Sequence, residues 1–151
     1  MSSEISKPKG AKSGSKALAE RKTSPAFDRG LAVRKAVLGA DHVERSLDGA
    51  NDDFNWPLQE FVTEVGWGWA WSRPGLTRQE RSLINLAMLT ALNRPHELEV
   101  HLKGALNNGC TPEQIREVLL QTAVYCGAPA AIDSFRVAKR VMAQMAEPKD
   151  A

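Results

Sequence analysis

The sequence predicts an all-α protein of about seven helices in a single domain. Three observations carry this. Two capping boxes, Thr77–Glu80 and Thr111–Gln114, each open a long run with helical apolar spacing. Glycine and proline punctuate the chain at helix-length intervals, at Gly39, Pro95, Gly109, Gly127 and Pro129. No stretch outside these runs offers a strand with a partner. The chain of 151 residues, 42% apolar and 25% charged, is long enough for one domain with a real core.

Residues 1–25 read as a disordered basic tail, with Lys7, Lys9, Lys12, Lys16, Arg21 and Lys22 against Glu4 and Glu20. The folded domain is expected over 26–146, followed by a frayed charged tail at 147–151. Phe27, Leu31, Val37 and Leu38 mark the first helix, which Gly39 stops. Asp41 is the expected N-cap of a short helix from His42 to Leu47. Asn51, Asp52 and Asp53 form a turn, and Asn55 caps a helix through Trp56, Pro57, Phe61 and Val62.

Trp67, Trp69 and Trp71 alternate with small residues, and Gly66 and Gly68 weaken a helix there. The stretch reads as an aromatic turn or helix end leading into Arg73-Pro74-Gly75, with its tryptophans serving core or subunit contacts or, less simply, ligand stacking. From Leu83 to Leu92 nearly every side chain is apolar, so this helix should be buried. Asn93-Arg94-Pro95 breaks it, because a proline disfavours helical geometry in the residue before it. The next helix places Arg94, Glu97 and His101 on one face. Another carries Ile115, Leu119, Leu120, Val124 and Cys126, and the last an apolar stripe of Ile132, Phe135, Ala138, Met142 and Met145. Helices 83–92 and 115–126 are apolar on more than one face, which a homo-oligomer would cover.

The net charge of +2 gives no argument for nucleic acid, and no apolar run reaches the length of a membrane span. Two cysteines, Cys110 and Cys126, are too few for a disulfide scaffold and fit a reducing cytoplasm.

The segments RGLAVRKAVLGADHVERSL and WAWSRPGLTRQERSLINLAMLTALNRPHELEVHLKGALNNGCTPEQIREVLLQTAVYCGAPAA resemble the carboxymuconolactone decarboxylase, or AhpD-like, family. The likeness runs from about Phe27 to Val141. It implies the AhpD-like helical fold, assembled as a homo-oligomer, commonly a trimer or hexamer. It also implies a cofactor-free lyase that converts 4-carboxymuconolactone to 3-oxoadipate enol-lactone and CO2 in the protocatechuate branch of the β-ketoadipate pathway. The peroxidase branch of the family carries CxxCxxxH. With its histidine placed on His101, the cysteine positions are Arg94 and Glu97, so thiol-based peroxide reduction has no thiol to use. A non-catalytic helical oligomer that binds small molecules is the remaining alternative.

Loss of CO2 from such a substrate leaves a dienolate. It calls for cations on the dicarboxylate, donors to the lactone oxygen and an acid for the ring carbon. Glu97 and His101, at i and i+4, are expected to pair, the carboxylate raising the imidazole pKa and making His101 the proton donor. A solvated helix-surface pair is the plainer alternative. Arg81, Arg73 and Arg94 are candidates to grip carboxylates, although each could equally make a surface ion pair. His96 could line the site mouth, Tyr125 could donate to the lactone oxygen, and Trp69 could stack on the ligand. Glu80 is a weaker catalytic candidate and His42 is expected to be structural or solvent-facing. No metal constellation is present, since Glu97 and His101 supply only two ligands.

Overall fold

The computed structural model describes residues 16–19 and 21–146. Among them are eight α-helices, one π-helical segment and no strand. The helices are α1 (Lys16–Ala19), α2 (Pro25–Leu38), α3 (Ala40–Asp48), α4 (Trp56–Phe61), α5 (Arg78–Ala91), α6 (Pro95–Asn107), α7 (Pro112–Cys126) and α8 (Ala128–Ala146). The π-helix, Val62–Ala70, continues directly from α4.

The expected punctuation is where the helices end. Gly39, Gly109 and Gly127 all take positive φ, the conformation that lets a glycine close a helix without a Cβ clash. Both capping boxes form with reciprocal side-chain and backbone bonds. Asn93 turns the chain at φ 52, and Pro95 occupies the first turn of α6, where its missing N–H costs nothing.

Two apolar clusters result. Leu86 of α5, Leu98, Leu102 and Ala105 of α6, Ile115 and Leu119 of α7, and Val137, Ala138 and Val141 of α8 form the larger. Phe27, Val43, Leu47 and Trp56 close the smaller, with Ala17 among them.

Several expectations are corrected. Part of the presumed tail is docked: Ala17 is buried, its N–H donates to Asp48 (3.0 Å), and Arg21 stacks on Trp56. Residues 1–15, 20 and 147–151 lie outside the described residues, and the expected tails there with them. Asp41 sits inside α3, whose N-cap is Gly39. Asn55 caps nothing with its side chain; Asp52 instead accepts from the N–H groups of Phe54 and Asn55.

Of the two readings of 66–76, that of a helix end holds: Gly66 to Ala70 complete the π-helix and the turn begins only at Trp71. In α8 the buried face is Ala131, Ser134, Val137, Ala138 and Val141, while Ile132 and Met145 are exposed. Small side chains let α8 approach its neighbours there, and the Ser134 hydroxyl is satisfied by the Ala130 carbonyl (2.9 Å). Helix α5 is not wholly buried in the single chain either, since Ile84 and Met88 face outward, as does Leu92 just after its end.

Candidate active site

Helix α6 delivers His101 to the inner side of the π-helix. Its imidazole lies parallel to the Trp67 ring (centroids 6.1 Å, planes 3° apart) and also stacks on Trp71 (6.3 Å). Trp67 and Trp71 are four residues apart on a helical backbone, which brings both rings to one face, 4.7 Å centroid to centroid. That spacing, rather than the strand-like alternation, is the signal that selects these two. Trp69, the expected ligand-stacking residue, points away: it is 62% exposed and lies under the Arg73 guanidinium at 4.9 Å.

The expected Glu97–His101 bond is not made. Glu97 is exposed, and the ring nitrogen Nδ1 of His101 faces the Asn85 amide of α5 at 3.4 Å. The imidazole pKa is not raised. Burial lowers it to about 4, with the charge of His42 acting in the same direction and Glu97 too weak to reverse it. An exposed carboxylate is screened by water, whereas loss of hydration acts on the charged ring directly. His101 is therefore neutral near pH 7. With the Asn85 amide donating to Nδ1, the ring proton sits on Nε2. The folded chain resists protonating this ring, so stability should fall as pH drops from about 6.5 toward about 4.

Beside this stack lies an open cavity of about 200 Å3 lined by Trp71, Asn85, Arg81, Leu76, Ile84 and Met88. Trp71 and Asn85 are the side chains it shares with His101. Arg81 donates from Nη2 to the Arg73 carbonyl (2.9 Å), while its Nε is buried with no partner. The guanidinium is itself part of the cavity lining, and its planar fork is suited to a carboxylate placed there. Arg73 is thus joined to Arg81 through its main chain, and its own guanidinium stays outside over Trp69.

Other expected site residues are placed elsewhere. Arg94 lines a separate cleft with Asp133 and Arg136 near α8. Tyr125 is 81% exposed, in a groove between α5 and α7. His96 is exposed on the first turn of α6. Glu80 is committed to its capping box, and the Thr77 N–H (2.7 Å) and hydroxyl (2.8 Å) hold its carboxyl below the usual range. His42 is half-buried and not merely solvent-facing. Burial first, then Arg34, Arg45, Lys103 and His96, lower its pKa. Cys110 is buried, with its thiol pKa pushed up by burial, and both cysteines are free.

The carboxymuconolactone decarboxylase family model matches residues 57–140, which span the π-helix, His101 and the whole cavity wall. The chain belongs to that family. It is 44% identical to the 4-carboxymuconolactone decarboxylase of Acinetobacter baylyi over 76% of its own length and 85% of the relative's. It is also 44% identical to the nitrosuccinic acid decarboxylase of Metarhizium robertsii, over 80% of this chain and 84% of that one. A 4-carboxymuconolactone decarboxylase from Pseudomonas putida matches at 48% over 28% of this chain and 85% of its own. The chain is a decarboxylase, a lyase of this family.

Proposed function

We propose that this decarboxylase acts on 4-carboxymuconolactone, releasing CO2 and 3-oxoadipate enol-lactone without a cofactor. The observation that carries the reading is His101, stacked on Trp67 and Trp71, next to a cavity lined by Arg81. In the reaction the bond between the ring carbon and the leaving carboxylate breaks. Its electron pair enters the unsaturated lactone, and the charge gathers on the lactone carbonyl oxygen. A neutral imidazole donates a hydrogen bond from Nε2–H to that oxygen, a role suited to a histidine held well below its ordinary pKa. Arg81 holds the carboxylate that stays, so the leaving one is not stabilised against departure. The ring carbon then takes its proton from water, which the open side of the cleft admits.

An assay of CO2 release from 4-carboxymuconolactone by the purified protein tests the substrate directly. In that assay Arg81→Met is expected to raise KM by roughly 10- to 100-fold, the worth of a hydrogen bond to a charged group, with less effect on kcat. Unchanged KM would remove Arg81 from substrate binding. The pH profile tests the protonation state. With neutral His101 as the working form, kcat/KM should stay level from pH 8 to about 5 and fall as pH drops through about 4. An imidazolium acid would instead lose activity as pH rises, and that profile would overturn the mechanism.

A second substrate, nitrosuccinate, is favoured by the equal identity to the Metarhizium enzyme. It too is a dicarboxylate whose loss of CO2 leaves charge on oxygens, here those of a nitro group, so both acids belong in the assay. We also place the reaction in the protocatechuate branch of the β-ketoadipate pathway and in the cytoplasm, where two free thiols persist. The exposed apolar residues Phe54, Leu58, Phe61, Val65 and Trp69, with Val124 and Tyr125 of α7, support a homo-oligomer, a trimer or hexamer, in which these faces are covered.

A further inference from the structure

The segment Val62–Ala70 is a π-helix, and π-turns are rare and concentrate at functional sites. One side chain of α2 reaches the place where this segment begins. Arg34 is only 6% exposed, yet its guanidinium reaches across to α4 and the π-helix. Nη1 donates to Gln59 Oε1 (2.9 Å) and to Thr63 Oγ1 (3.0 Å), and Nη2 donates to Ser46 Oγ of α3 (3.2 Å). Gln59 is in the last turn of α4 and Thr63 is the second residue of the π-helix. The guanidinium therefore spans the junction where the backbone changes from one helical geometry to the other.

All three acceptors are neutral, and Nε is buried without a partner. Burying a cation among neutral acceptors is a poor way to gain stability alone. A planar fork with several fixed donors is, however, well suited to hold two points of a backbone in register. The register matters downstream. Trp67 and Trp71 follow Thr63 at one and two four-residue steps, and both rings contact His101.

We infer that Arg34 is a positioning residue: by bridging Gln59 and Thr63 it fixes the α-to-π junction and thereby aims Trp67 and Trp71 at His101. The inference rests on the decarboxylase reading only for its kinetic consequence. Its structural consequence has a separate readout, because protons of a ring stacked on indole faces are shifted upfield in NMR spectra.

The experiment follows the His101 ring protons, assigned by their loss in His101→Ala, in wild type, Arg34→Lys and Arg34→Met, with far-UV circular dichroism to confirm folding. In folded Arg34→Met the His101 signals are expected to move downfield and kcat to fall roughly 10- to 100-fold, with KM changed less. Arg34→Lys should restore part of both. Unmoved signals in folded Arg34→Met overturn the inference, whatever happens to kcat. Should Arg34→Met not fold, the Gln59→Met/Thr63→Val double variant decides by the same criterion: it removes both acceptors at the junction and keeps the arginine. A wild type that leaves 4-carboxymuconolactone and nitrosuccinate intact would sink the substrate reading and leave the ring-proton test standing.

Discussion

His101→Ala is expected to lower kcat for decarboxylation by about 100- to 10,000-fold, the range for removing a positioned proton-transfer or oxyanion-stabilising group. The expectation follows from the place of this ring among the three histidines. Of the three histidines in the chain, His101 alone stacks on Trp67 and Trp71 and touches a side chain of the cavity wall, Asn85. On the proposed mechanism, loss of the imidazole leaves the lactone oxygen without its donor while Arg81 still holds the retained carboxylate. The deficit should therefore appear in kcat and in kcat/KM alike, with KM little altered.

His101→Gln is the informative companion. It keeps an N–H donor of similar reach but cannot titrate, so partial activity with a flat acid limb would identify hydrogen bonding as the role. Full activity in both variants would remove His101 from the chemistry and leave the cavity to Arg81 alone. Stability should not confuse the result. The neutral ring contributes stacking and one long contact to Asn85, and its removal also deletes the cost of charging it at low pH.

Much of the fold was legible because helix ends are local chemistry. Thr77 with Glu80, Thr111 with Gln114, Gly39, Gly127 and the Arg94-Pro95 break each act within a turn of their own position. What escaped was non-local. Nothing in the spacing of Gly66, Trp67, Gly68 and Trp69 announces a π-helix, and the contact of its Thr63 with Arg34 of α2 comes from 29 residues away in the chain. On α8 the expected Phe135, Ala138 and Met142 do pack on the core, but Ile132 and Met145 do not, because the small Ala131 and Ser134 bury better at a close crossing.

The expected pairing of Glu97 with His101 failed in the same way. Glu97 and His101 are correctly one helical turn apart, but the second face of the histidine is supplied by the π-helix and by Asn85. Burial among those partners, invisible to i, i+4 reasoning, reverses the expected direction of its pKa. His42 and Arg34 lie outside the stretch where function was sought, and only the packing of α2 and α3 brings them near.

The second large effect is on stability, at the same crossing. Gly30→Ala is expected to destabilise the protein by about 3 kcal/mol, the upper part of the range for overpacking. A Cβ at residue 30 would stand 2.0 Å from the Thr63 carbonyl oxygen and 2.7 Å from the Gly68 nitrogen. Across the same contact, a Cβ on Gly68 would meet the Ala26 carbonyl oxygen at 2.3 Å. Alanine is the better helix former by up to about 1 kcal/mol, and in an open helix that gain would decide the sign. Here it cannot, because the obstructing atoms are backbone and have no rotamer to escape into. Helix α2 and the π-helix must separate, and the smaller apolar cluster around Phe27 opens with them.

Denaturant or thermal unfolding reads the loss directly, as a fall in Tm on the order of 10 °C. Gly66→Ala is the control within the same π-helix: its nearest neighbour would be Val62 Cγ1 at 4.0 Å, so it should be neutral or mildly stabilising. Equal stability of Gly30→Ala and wild type would mean that the two helices do not need this closeness. The close approach of Gly30 and Gly68 would then carry no stability.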